Sequence, residues 1–335
     1  MAWITFVLSG LAIIFAGTKL SQYGDRIAEY SGLGRLWIGV VLMAGATSLP
    51  EMLTVLSAVL IDAPDLAVGD LFGAGLTNML TLALIDLAHR TKRVWQQTAL
   101  DQALIASLAV IMTGLAGLLI MVKHSIPIVQ IGAGTLAIAV IYLFGMRVVL
   151  RQESMRRRAE QLQRVVQSTG ASDHTMKKHS LKQAGLGFAV AAGGILIAAP
   201  LLADSAVQIA ETTGISSTFI GTSLVAIVTS LPEMVTAFAA VRMGAFDLAV
   251  GNLFGSNAFN MGILFVADMA YRKGPLLGAV NDAHAVTALV SILLMSVGIM
   301  GIIYRAEKRF FFVEPDSALM IMGYLIGMGL IFSLG

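Results

Sequence analysis

Ten apolar stretches, each of about the length that crosses a lipid bilayer, make up most of this 335-residue chain. They lie at roughly 2–20, 37–61, 65–88, 99–122, 127–149, 184–203, 215–241, 245–270, 283–303 and 318–334. A transmembrane helix needs about 20 mainly apolar residues. Apolar residues are 57% of the chain and charged residues 13%, whereas soluble domains have roughly 45–50% and 25%. The sequence therefore predicts an all-α integral membrane protein with ten transmembrane helices.

Positive charge is divided unequally between alternate loops. With ten helices, 19 of the 22 Lys and Arg residues fall on one side, and only Lys123, Arg272 and Lys273 fall on the other. The positive-inside rule assigns the richer side to the cytoplasm, so both termini are predicted to lie outside it. The asymmetry indicates orientation in a membrane and not nucleic-acid binding. The chain has no cysteine, which excludes disulfides and thiolate metal sites.

The sequence contains an internal repeat. TSLPEMLTVLSAVLIDAPDLAVGDLFGAGLTNM (47–79) aligns without a gap on TSLPEMVTAFAAVRMGAFDLAVGNLFGSNAFNM (229–261), with 20 of 33 positions identical. Each half holds five predicted helices, an odd number, so the second copy enters the bilayer from the opposite side. We predict two inverted five-helix repeats, 1–150 and 183–335, joined by a basic cytoplasmic linker at 151–182. Inverted repeats are typical of secondary transporters, which bind their substrate near the bilayer midplane.

Two glutamates, Glu51 and Glu233, occupy equivalent positions near the middle of the second and seventh predicted helices. A carboxylate at that depth costs at least about 2.5 kcal/mol and normally marks an ion pathway. Each glutamate follows a proline, Pro50 or Pro232, whose missing N–H leaves the carbonyl four residues earlier without its helical partner. Hydroxyl residues three or four positions before each acid share its helix face. These are Thr47, Ser48, Thr229 and Ser230.

Polar residues on the next helix of each repeat recur every four positions, which puts them on one face. The two trios are Asp70, Ala74 and Asn78, and Asn252, Ser256 and Asn260. Because an unpaired buried amide is costly, we predict that Asn78 and Asn260 coordinate a cation or orient the carboxylates. A site built from oxygen alone suits Na⁺, Ca²⁺ or Mg²⁺ and argues against zinc or copper.

Other polar residues give weaker signals. Five acids lie near the ends of predicted helices, where solvated or helix-capping roles are expected; they are Asp62, Asp65, Asp86, Asp247 and Asp268. The five histidines have no metal-binding spacing, and no nucleophile-and-base grouping or nucleotide-binding loop occurs. We therefore predict that the protein is not an enzyme and binds no cofactor.

The duplicated TSLPE, with GDLFGAGLTN (69–78) and GNLFGSNAFN (251–260) on the next helices, resembles the calcium/cation antiporter superfamily and especially its Na⁺/Ca²⁺ exchanger branch. The acid in a GNxxE context that is typical of the proton-coupled branch is absent from both copies. The resemblance implies the ten-helix plan and ion exchange by movement of the first and sixth helices across a relatively fixed core. It makes Glu51 and Glu233 the central ligands, shared by the competing cations. It also implies ligation by Thr47, Ser48, Thr229 and Ser230, by the backbone carbonyls of Ala44 and Ala226, and by Asn78, Asn260 and Ser256.

The first copy departs from this pattern at Asp70, Ala74 and Gly75, where the second copy has Asn, Ser and Asn. One hydroxyl ligand is therefore missing and one acid is added. Loss of the hydroxyl should weaken a monovalent site. Asp70, if it faces the cavity, would favour a divalent ion or supply a titrating group, and we include it among the candidate ligands.

The hypothesis from sequence is a secondary active antiporter that exchanges Ca²⁺, or another divalent cation, against Na⁺ by alternating access. Its partners are inorganic cations and the lipid bilayer, with no nucleic acid. Two alternatives stay open. One is H⁺-coupled exchange of Ca²⁺, Mg²⁺ or Mn²⁺, and the other, of a different class, is a passive cation channel.

Overall fold

A computed structural model describes residues 1–30, 44–88, 102–123, 127–128, 131–165, 178–242, 244, 246–304 and 315–334. Almost all of these residues are helical. In the first half, the elements are α1 Ala2–Tyr30, α2 Ala44–Thr47, α3 Leu49–Leu60, α4 Pro64–Ala88, α5 Gln102–Val122, β1 Pro127–Ile128, β2 Ile131–Gly132 and α6 Ala133–Val165. In the second half, they are α7 Lys178–Thr213, α8 Ser217–Ile220, a π-helix Gly221–Val225, α9 Ala226–Thr229, α10 Leu231–Arg242, α11 Phe246–Ala270, α12 Leu276–Ala279, α13 Ala283–Tyr304 and α14 Pro315–Leu334. The two short strands pair antiparallel, with Pro127 opposite Gly132.

Where the predicted spans are described, they are helical, with one correction: the fifth span was predicted over 127–149, but its first residues form the β-hairpin and the helix begins at Ala133. Within the described residues, seven helices are long and apolar enough to span a membrane, and an eighth candidate is the bent pair Ser217–Thr229 and Leu231–Arg242. The remaining two stretches contain the shorter apolar helices Leu49–Leu60 and Ala133–Val149. Parts of four predicted spans, the second, fourth, fifth and eighth, lie outside the described residues; they are 37–43, 99–101, 129–130 and 245. The multi-pass architecture is confirmed, and the count of ten crossings stays a prediction.

The polar segment 151–182, predicted as a linker, is helical at both ends. α6 continues through its first half to Val165, and α7 begins at Lys178. Residues 166–177, together with the domain boundary that we predicted there, lie outside the description.

The sequence repeat is also a repeat of structure. α3 and α10 have the same bounds after a shift of 182 residues, as do α4 and α11. The helix is interrupted at Ser48 in the first copy and at Ser230 in the second, just before each Leu-Pro-Glu. In the second copy the two pieces meet at a bend of 45°. Each proline lacks the N–H that a continuous helix would need, which explains why the break falls here in both copies.

The equivalent helices α4 and α11 run in opposite directions. Asp62, just before α4, forms an ion pair with Lys273, just after α11, and this hydrogen bond raises the pKa of the lysine. Asp65, in the first turn of α4, accepts the backbone N–H of Asn281 at 2.6 Å and contacts Nε2 of His284 at 3.1 Å. The start of α4 therefore lies beside the end of α11.

The centre of the molecule is formed by α4 and α11. In the most apolar 18-residue stretch of each helix, 78% of the residues of α4 and 72% of those of α11 are buried. The corresponding share is at most 50% in the other unbroken candidate spans. α4 packs backbone to backbone against the π-helix. A Cβ at Gly73 would lie 2.3 Å from the carbonyl oxygen of Thr222, and one at Gly221 would lie 2.6 Å from a backbone carbonyl of α4. This glycine contact brings Asp70 against the segment that leads to Thr229.

Two of the acids near helix ends, for which solvated or capping roles were expected, are buried, so the solvated role is wrong for them. Asp268 of α11 accepts the backbone N–H groups of Gly132 at 2.8 Å and Leu276 at 2.7 Å, together with a hydroxyl at the start of α6. Asp86 of α4 accepts the hydroxyl of Ser317 at 2.7 Å. The partners of these acids come from distant segments, at Gly132 and Ser317, and from the turn that follows α11, at Leu276.

Candidate cation site

Glu51 and Glu233 begin the helices that follow the two breaks. Each lies in the first turn of its helix, α3 or α10, and each side chain is 0% exposed. The N-terminal end of a helix carries a partial positive charge that stabilises a carboxylate there. The two acids predicted from sequence are therefore held by the helix breaks inside the protein.

The hydroxyls at the breaks bond to the acid of the other repeat. Ser48 Oγ donates to Glu233 Oε1 at 3.1 Å, and Ser230 Oγ donates to Glu51 Oε1 at 3.0 Å. The hydroxyl of Thr47 also hydrogen-bonds to Glu233. The break of each repeat is therefore bonded to the acid of the other. The sequence predicted hydroxyls and acids grouped within each repeat, and the structure joins the serines and acids across the repeats.

Asp70 is a third buried carboxylate, and Thr229 joins it to the helix break of the second repeat. It is 1% exposed, and its Oδ1 accepts the hydroxyl of Thr229 at 2.8 Å. It repels both glutamates electrostatically. Within the described part of the chain none of the three acids forms an ion pair. The site therefore concentrates negative charge that no neighbouring cationic side chain balances there.

Amide side chains on α4 and α11 bond to each other. Asn78 Nδ2 donates to Asn257 Oδ1 at 2.8 Å, and both side chains are buried. This bond uses the NH₂ group of Asn78. The carbonyl oxygen of the same side chain, Oδ1, has no hydrogen-bond donor among the described residues. Asn257 and the buried Asn252 are polar residues that the candidate ligand set left out. The sequence signal for Asn257 was its alignment with Gly75 of the first repeat. Because Gly75 has no side chain, Asn260 lacks the equivalent of the partner that Asn257 gives to Asn78.

Buried oxygens without a hydrogen-bond partner accumulate on the predicted residues. They are Glu51 Oε2, Asp70 Oδ2, Asn78 Oδ1, Glu233 Oε2, Ser256 Oγ and Asn260 Oδ1. Each such group costs about 1–3 kcal/mol when nothing satisfies it. All are hard oxygen donors of the kind that Na⁺ and Ca²⁺ prefer. Within the described ranges no three acidic or histidine side chains alone could hold one metal ion, so hydroxyl, amide and carbonyl oxygens have to complete any coordination shell.

The two alanines implied by the resemblance lie seven residues before each glutamate. The carbonyl of Ala226 accepts the backbone N–H of Ser230 at 3.1 Å and the hydroxyl of Thr229 at 3.3 Å. The single hydroxyl proton of Thr229 has a shorter contact with Asp70 Oδ1, at 2.8 Å, so the Ala226 carbonyl keeps a lone pair that a cation could use. Ala44 is the first residue of α2. Their roles as backbone ligands stay predictions.

Comparison with known proteins identifies the family. A family profile described as "Sodium/calcium exchanger protein" matches residues 1–151 and 184–333, which is most of the chain. This chain belongs to the sodium/calcium exchanger family. As a member of that family of secondary transporters, it is a multi-pass membrane protein and a cation antiporter.

Individual relatives agree with this assignment. The chain is 28% identical over 296 residues to inner membrane protein YrbG of Escherichia coli strain K12, covering 88% of this chain and 87% of YrbG. Over 67 residues, 20% of this chain and 19% of the relative, it is 45% identical to the sodium/calcium exchanger MaX1 of Methanosarcina acetivorans. It shares its fold with the sodium-calcium exchanger NCX_Mj, at a TM-score of 0.63 and 20% identity over 98% of this chain and 97% of that one.

Proposed function

We propose that this exchanger moves Ca²⁺ against Na⁺ by alternating access, and that the two ions compete for one site between Glu51 and Glu233. The observation that carries the proposal is the reciprocal bonding of these buried acids, each of which keeps one carboxylate oxygen unpartnered. A cation bound between them would satisfy both oxygens and balance their charge. Mutual exclusion at one site then couples the two fluxes.

The proposed ligand set extends outward from the glutamates. It adds the hydroxyls or carbonyls of Thr47, Ser48, Thr229 and Ser230, the backbone carbonyls of Ala44 and Ala226, the side chains of Asn78, Asn260 and Ser256, and Asp70. The burial of the polar side chains supports this set, as do the unpartnered oxygens of Asp70, Asn78, Ser256 and Asn260. An oxygen-only shell of this size suits Ca²⁺, which takes six to eight oxygen ligands, better than the smaller Mg²⁺.

The inverted arrangement of the repeats belongs to the same proposal. The opposite directions of α4 and α11 and the reciprocal serine–glutamate bonds support it. A pseudo-twofold axis in the membrane plane would let each repeat provide the gate on one side of the bilayer. With ten crossings, the charge of the loops would leave both termini outside the cytoplasm.

Flux through reconstituted protein tests the proposal. Purified protein in proteoliposomes loaded with Na⁺ is diluted into Na⁺-free buffer that contains radioactive Ca²⁺, with liposomes that have no Na⁺ gradient as the control. We expect uptake that depends on the outward Na⁺ gradient and saturates with Ca²⁺. Equal uptake in both preparations would refute Na⁺ coupling.

Two further arms separate the alternatives. If a pH gradient drives uptake and Na⁺ does not, H⁺ replaces Na⁺ as the coupling ion. If unlabelled Ca²⁺ on the opposite side does not accelerate the flux of labelled Ca²⁺, and the ion conductance corresponds to far more ions per second than a carrier can turn over, the protein is a passive channel. Saturable counterflow together with Na⁺ dependence is the result that the proposed mechanism requires.

A further inference from the structure

The two repeats differ in charge at one buried position. Asp70 of α4 and Asn252 of α11 are equivalent in the alignment, at an offset of 182 residues. Both side chains are buried, at 1% and 6% exposure. Among the described residues, Asp70 Oδ2 has no hydrogen-bond partner, and neither has the amide of Asn252. The pseudo-twofold site is therefore asymmetric by one negative charge.

The position of Asp70 ties this charge to the central site. Its Oδ1 accepts the hydroxyl of Thr229, and the next residue, Ser230, donates to Glu51. Four residues further along α4, Ala74 stands where the second repeat has Ser256, so the first copy has an acid and no hydroxyl on that helix face. The close contact of Gly73 with the π-helix holds α4 in this position.

Resting on the proposed function, we infer that Asp70 is the residue that sets the preference of this exchanger for divalent over monovalent cations. At a given distance a carboxylate attracts a divalent ion with twice the Coulomb energy that it gives a monovalent ion. Neutralising Asp70 should therefore change the Ca²⁺ affinity by the square of the factor by which it changes the affinity for a single Na⁺. A tenfold loss for Na⁺ would accompany a roughly hundredfold loss for Ca²⁺.

The chain itself suggests the variants that test this inference. Asp70→Asn installs the residue of the second repeat, and its amide oxygen can still accept the Thr229 hydroxyl. Asn252→Asp adds the acid to the other repeat, and the double variant restores the number of carboxylates. Asp282→Asn, an exposed acid in a loop, is the matched control.

The measurement is the half-saturating concentration of Ca²⁺ for uptake and of Na⁺ for its competition, in proteoliposomes at constant pH. We expect Asp70→Asn to raise the half-saturating Ca²⁺ concentration tenfold or more. The half-saturating Na⁺ concentration should rise by about the square root of that factor. The double variant should recover much of the Ca²⁺ affinity, which a purely structural role of Asp70 would not allow. Equal factors for the two ions, or no change in either, would overturn the inference.

Failure of this inference can be told apart from failure of the proposed function. If Glu51→Gln abolishes binding of both ions while Asp70→Asn leaves their ratio unchanged, the central site stands and only the role of Asp70 falls. If Asp70→Asn does not fold, Asn252→Asp alone decides the matter. In Asn252→Asp, a fall in the ratio of the half-saturating Ca²⁺ concentration to the half-saturating Na⁺ concentration supports the inference. An unchanged ratio refutes it.

Discussion

Replacing Glu233 by Gln should remove high-affinity cation binding and leave the fold intact. The side chain is 0% exposed, Ser48 bonds only one of its oxygens, and no ion pair balances it among the described residues. A bound cation would be its main counter-charge. Removing one partner of a buried charge pair costs about 3–5 kcal/mol. At about 1.4 kcal/mol per factor of ten, the dissociation constant should rise by roughly two to four orders of magnitude.

Thermal unfolding of the purified protein, with and without Ca²⁺, measures this change independently of transport. A ligand at 100 times its dissociation constant stabilises the folded state by about 2.7 kcal/mol. If the dissociation constant rises 100-fold at the same Ca²⁺ concentration, the stabilisation falls to about 0.4 kcal/mol. The Ca²⁺-dependent rise in unfolding temperature should therefore almost vanish. The ion-free variant should be no less stable than the wild type, because the substitution removes an uncompensated buried charge.

The reciprocal bonding of the two glutamates supplies an internal check. Glu51→Gln should behave like Glu233→Gln, because Ser230 bonds Glu51 as Ser48 bonds Glu233. Glu211→Gln, on an exposed part of α7, should keep the full Ca²⁺-dependent shift. A folded Glu233→Gln protein whose Ca²⁺ affinity stays within tenfold of the wild type would refute the reasoning.

Three further substitutions probe the supports of the site. Asp268→Ala should lower the free energy of unfolding by about 3 kcal/mol in chemical denaturation, because it leaves buried N–H donors without an acceptor; an unchanged midpoint would contradict this. Gly73→Ala should cost about 1–3 kcal/mol through the 2.3 Å approach to a π-helix carbonyl, whereas Gly329→Ala, with no atom within 4 Å, should be neutral or slightly stabilising. Asn257→Ala should weaken Ca²⁺ binding about tenfold in calorimetry by releasing the amide of Asn78; an unaltered dissociation constant would assign that pair a packing role only.

Much of the site could be predicted from the sequence because its signals are local and duplicated. A proline before a glutamate breaks a helix wherever it stands, and a carboxylate inside an apolar stretch needs compensation. Two gapless copies make an accidental occurrence of this pattern untenable. The helix breaks and the burial of Glu51 and Glu233 follow from these local rules.

Helix-end chemistry could not be predicted in the same way. Asp86 and Asp268 look like solvated or capping acids when only their neighbours in sequence are considered. Their burial depends on which distant segments pack over the helix ends, here Ser317 and the β-hairpin with α12.

The sequence by itself determined that this chain is rich in apolar helices, that it contains a duplicated segment, and where two proline-preceded acids break those helices, because hydropathy, repetition and proline act over a few residues. Tertiary structure alone decided that each serine bonds the glutamate of the other repeat and that Thr229 bonds Asp70. Those partners are 159 to 185 residues apart. Only the packing of one repeat against the other, through glycine contacts that bring backbones together, brings them within hydrogen-bond distance.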